Sequence, residues 1–105
     1  MSSLKELSLV DVFRYMDIPL FYGSAQRGTP LPYLIYLGDG QRIAQADNTH
    51  YWKEDSFRIE YYFTEKNMLL ENGIETALLG AGYLYEKSED IYIEDEGVFL
   101  IYYSL

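Results

Sequence analysis

The chain contains no cysteine, which excludes disulfides, thiol nucleophiles and cysteine-ligated metals and leaves the redox compartment undetermined. It contains one histidine, His50. An imidazole titrates near neutral pH, but no partner nucleophile or second ligand histidine accompanies it, so a loop or interface position is the better assignment. Basic residues are scarce: eight Lys and Arg against seventeen Asp and Glu, a net charge of −9. The eight are scattered, and no run of them makes a patch able to displace counterions from phosphates. Sequence-specific nucleic-acid binding is therefore not expected, whereas a surface that lets DNA slide past without holding it is compatible with the charge. No apolar run approaches a membrane span, and residues 1–6 carry no signal-like apolar core, so a soluble cytoplasmic product with no membrane partner is expected.

Aromatic residues are abundant instead, with twelve Tyr, five Phe and one Trp. Tyrosine is common in strands. Its apolar body and polar tip also suit a surface that is buried against another protein.

With 105 residues the chain has material for one domain, residues 1–105, with a single modest core. The central stretch is 56–63, where Phe57, Ile59, Tyr61 and Phe63 alternate with Arg58, Glu60 and Tyr62. A period of two rich in aromatic and β-branched side chains predicts a strand with one buried face. Ahead of it, Ser3 and Glu6 fit a capping box, and Leu9, Val12, Phe13 and Met16 predict a helix over about 3–16 that Pro19 stops. Residues 20–22 predict a short edge strand, 23–30 a loop, and 31–37 a strand that Gly38-Asp39-Gly40 bends or bulges before 43–46 continue it. Asp47-Asn48 favours a turn. Residues 49–55 fit a loop or, preferably, a strand leading into 56–63 and pairing back on 31–37. A second helix is predicted over about 68–81, capped by 64–67, with Leu70, Ile74, Ala77, Leu78 and Ala81 as its stripe and Gly80 and Gly82 as stops. Residues 83–87 and 91–93 predict strands, with 98–103 returning beyond an acidic turn at Glu94-Asp95-Glu96-Gly97. The expected fold is α+β, in the order α-β-β-β-α-β-β: an antiparallel β-sheet with two helices packed on one face.

Chemical motifs are weak. Glu94-Asp95-Glu96 lacks the spaced ligands of a calcium loop, and Asp47, Glu54 and Asp55 are better explained as acidic decoration than as a hydrolytic pair. Gly38-Asp39-Gly40 is followed by no Lys-Ser/Thr or helix start, as a phosphate cradle requires. No catalytic, metal or cofactor site is expected. The better candidates are interface residues: Asp47, Asn48, His50, Tyr51 and Trp52 around the turn, and Tyr83 and Tyr85 after the second helix. Trp52 beside Tyr51 makes an interface anchor if exposed, or else packs on its own core.

Three blocks carry a resemblance. They are Leu31-Pro32-Tyr33-Leu34-Ile35-Tyr36-Leu37, Ala46-Asp47-Asn48 leading to Arg58-Ile59-Glu60-Tyr61-Tyr62, and Tyr85-Glu86-Lys87-Ser88-Glu89 running to Ile101-Tyr102. In this order they resemble the tail terminator (tail completion, tail-to-head joining) proteins of long-tailed phages and prophages, over roughly residues 20–103. His50, Trp52 and the Gly80-Ala81-Gly82 helix end depart from that pattern. The resemblance implies a non-enzymatic virion assembly protein that forms a homo-oligomeric ring, usually of six subunits. Its partners would be copies of itself, the tail-tube protein and the head connector protein. It would reside in the host cytoplasm during assembly and then at the head-proximal end of the tail. A head–tail connector adaptor or stopper is the near alternative, and a small acidic binding module that mimics DNA is the more distant one.

Overall fold

A computed structural model of the chain describes residues 9–14, 16–45 and 51–105, and the side chains among these except 42–45 and 51–55. One sheet of six strands organises it: β1 (Leu20–Tyr22), β2 (Tyr33–Gln45), β3 (Tyr51–Phe63), β4 (Glu86–Lys87), β5 (Ile91–Ile93) and β6 (Val98–Ser104). Two helices, α1 (helical at 9–12) and α2 (Met68–Gly80), pack on it, which makes the fold α+β as expected.

The spatial order is β1-β2-β3-β6, and the outer edge of β6 is shared by β4 and β5. Alternation in β3 sets the core face, since Phe57, Ile59, Tyr61 and Phe63 are all buried. Leu34 stands opposite Tyr61 on β2, and Ile101 stands opposite it on β6. Leu9 and Phe13 from the N-terminal segment and Ile74 and Leu78 from α2 close over this face in one apolar cluster. Burying an aliphatic side chain of this size contributes about 2 kcal/mol, so α2 is held by packing despite the glycine at 73.

Both ends of α2 are chemically specified. Asn67 is its N-cap and accepts from the Leu70 amide at 3.1 Å. At the other end the Tyr83 amide donates to Leu78 O and the Gly82 amide to Leu79 O. Gly82 has φ +89°. This is a Schellman motif, in which glycine takes the left-handed position.

Three details differ from expectation. The capping box at Ser3 and Glu6 lies outside the described residues, and α1 gives way to turns at 13–14 because short-range bonds such as Arg14 N–H to Asp11 O tighten its end. The sheet is not wholly antiparallel: β1 runs parallel to β2, which requires the 23–32 segment to return the chain to the far end of the sheet. The strand expected over 83–87 shrinks to Glu86–Lys87, because the Schellman motif holds Tyr83 against the helix end. As expected, the strand continues through Gly38-Asp39-Gly40 as a single β2, whose register with β3 shifts between Gly38 and Gln41. Residues 51–55 are strand.

Candidate functional site

β2 and β3 outrun their neighbours. β1 covers β2 only at Leu34–Tyr36, and β6 covers β3 only from Arg58 to Phe63. Beyond the irregularity at Gly38/Gln41 the two strands pair with each other alone, through Gln41–Asp55, Arg42–Glu54, Ile43–Lys53, Ala44–Trp52 and Gln45–Tyr51. A ribbon of five such pairs is roughly 15 Å long. It contributes to the elongated 51 × 28 × 27 Å envelope. Both edges of this arm are open among the described residues, and unpaired strand edges are templates for another chain. Of the sequence candidates, Tyr51 and Trp52 stand in this arm by register. Asp47, Asn48 and His50 lie outside the described residues.

The sheet face opposite the helices is a second candidate surface. Tyr33, Ile35 and Leu37 of β2 alternate with the core positions and stand across from Tyr62, Glu60 and Arg58 of β3. Tyr102 and Leu100 of β6 extend the same rows. Phe21 meets Tyr33 edge-on at 5.9 Å, and Tyr33 lies 5.3 Å from Tyr62. The two charges here neutralise each other, with Arg58 3.1 Å from Glu60. Glu60 also accepts from the Tyr62 hydroxyl at 2.9 Å, and the Arg58 guanidinium lies over the Tyr102 ring at 4.9 Å. Burial, then the Glu60 carboxylate, pushes the Tyr62 hydroxyl far above its ordinary pKa, so it remains a donor. The result is an aromatic, charge-balanced face on a strongly acidic chain.

Under α2 lies a chain of ion pairs that sequence reasoning missed. Glu71 is fully buried, yet it pairs with Lys66 at 2.8 Å and Lys87 at 2.9 Å. Lys66 also reaches Asp90 at 3.0 Å, and Lys87 reaches Glu75 at 2.8 Å. Glu75 accepts further from the Tyr103 hydroxyl at 2.8 Å and the Tyr85 hydroxyl at 3.3 Å. These contacts hold Lys66 and Lys87 above the ordinary lysine pKa: for Lys66 the Glu71 hydrogen bond leads, and for Lys87 burial opposes but the two glutamates outweigh it. Both amines therefore serve as fixed cations that pin α2 to the sheet. Tyr83 and Tyr85 belong to this interior as well. Tyr83 is in the apolar cluster, and Tyr85 packs against it edge-on to Tyr103 at 5.5 Å. Tyr83, a candidate interface residue by sequence, is buried in the core of the subunit, because the helix-terminating turn folds it inward.

The signal for Glu71 was present in the helical period, since positions 71, 74 and 78 share a face. Its charge hid it. No group of three or more His, Asp or Glu among the described residues is placed to hold a metal ion, and no helix there is long and apolar enough to cross a membrane. No protein-family model matches the chain, and no curated protein matches it either.

Proposed function

We propose that the chain is a structural assembly protein, the subunit of a homo-oligomeric ring that caps the tail tube of a long-tailed phage and meets the head connector. The observation that carries this reading is the charge-balanced aromatic sheet face on a chain of net charge −9. An acidic subunit repels its own copies wherever its surface is charged, so a face freed of net charge is where association costs least. The open-edged arm adds backbone donors and acceptors suited to heterologous contacts that close a ring. The sequence blocks that resemble tail terminators supply the rest.

Such a ring acts by occupancy. It sits on the growing end of the tube and offers the next tail subunit no matching surface, while its acidic remainder lets DNA pass. The test is polymerisation of purified tail-tube protein with and without this chain. Substoichiometric addition should shorten the tubes, with the chain found at their ends. Tubes of unchanged length, with no chain bound, contradict the proposal.

A further inference from the structure

We draw no further inference here: the strongest candidate, the exposed and uncharged outer face of α2 at Met68, Leu69, Asn72, Thr76 and Leu79, carries nothing because nothing in the structure shows what covers it.

Discussion

Glu71 and Lys87 hold one another across the boundary between helix and sheet, the fully buried carboxylate lying 2.9 Å from the lysine Nζ. With Lys66 on its other oxygen at 2.8 Å, Glu71 is the hub of an ion chain and not an isolated pair. Glu71→Ala deletes charge-assisted bonds to both lysines at a core position, although Lys66 keeps Asp90 and Lys87 keeps Glu75. It should lower stability by about 2 kcal/mol in urea unfolding, the range for a hydrogen bond to a charged group, with Glu71→Gln falling between it and wild type. An unchanged midpoint in Glu71→Ala would show that the ion chain does not anchor α2.

Acid should unfold the protein through Glu75. Burial pushes its carboxyl up, but Lys87 and the Tyr103 and Tyr85 hydroxyls outweigh burial and hold it below the ordinary value of 4.5. Because the folded-state pKa is the lower one, this stabilisation is complete above pH 4.5 and drains away as pH falls through the depressed value. Lys66 and Lys87 are shifted upward from 10.5, so their contribution is complete below that value and is lost as pH rises through the folded-state ones. Stability measured from pH 2 to 7 should therefore fall less steeply at its acid end in Glu75→Gln than in wild type. Parallel curves would contradict the assignment.

Two buried tyrosines should respond oppositely to loss of their hydroxyls. Tyr103 donates to Glu75 at 2.8 Å, and Tyr103→Phe should cost about 2 kcal/mol, the range for a hydrogen bond to a charged acceptor. The Tyr61 hydroxyl is buried without a hydrogen-bond partner among the described residues. Tyr61→Phe should thus be neutral or stabilising by up to about 1 kcal/mol. Thermal melts of the two variants side by side decide the matter.

Helix α2 has one position to gain from and one to lose from. A Cβ at Gly73 would meet only the Met16 terminal methyl, at 3.6 Å, an ordinary contact. Gly73→Ala should stabilise by roughly 0.5–1 kcal/mol. Asn67→Ala removes the cap on the Leu70 amide and should destabilise by about 1 kcal/mol. Equal and unchanged midpoints would mean that α2 is held by packing alone.

The sequence was most legible where one face decides the pattern. Phe57, Ile59, Tyr61 and Phe63 announce both the strand and its core side, and Ile74 and Leu78 do so for α2. It was least legible where a charge does the work of an apolar residue. Glu71 occupies a core position because Lys87, sixteen residues on, is brought to it by the fold. Arg58 and Glu60 read as a solvated face, yet they neutralise each other beneath Tyr62 and Tyr102. Three residues of β1 hold no information about strand direction, so its parallel pairing was not foreseeable.

The most direct measurement is native mass by light scattering at several concentrations from about 10 µM upward, at moderate salt so that repulsion between acidic copies is screened. The account predicts a concentration-dependent, ring-sized species that appears as annuli in electron micrographs. A monomer mass at every concentration, with tail-tube protein present or absent, would contradict it.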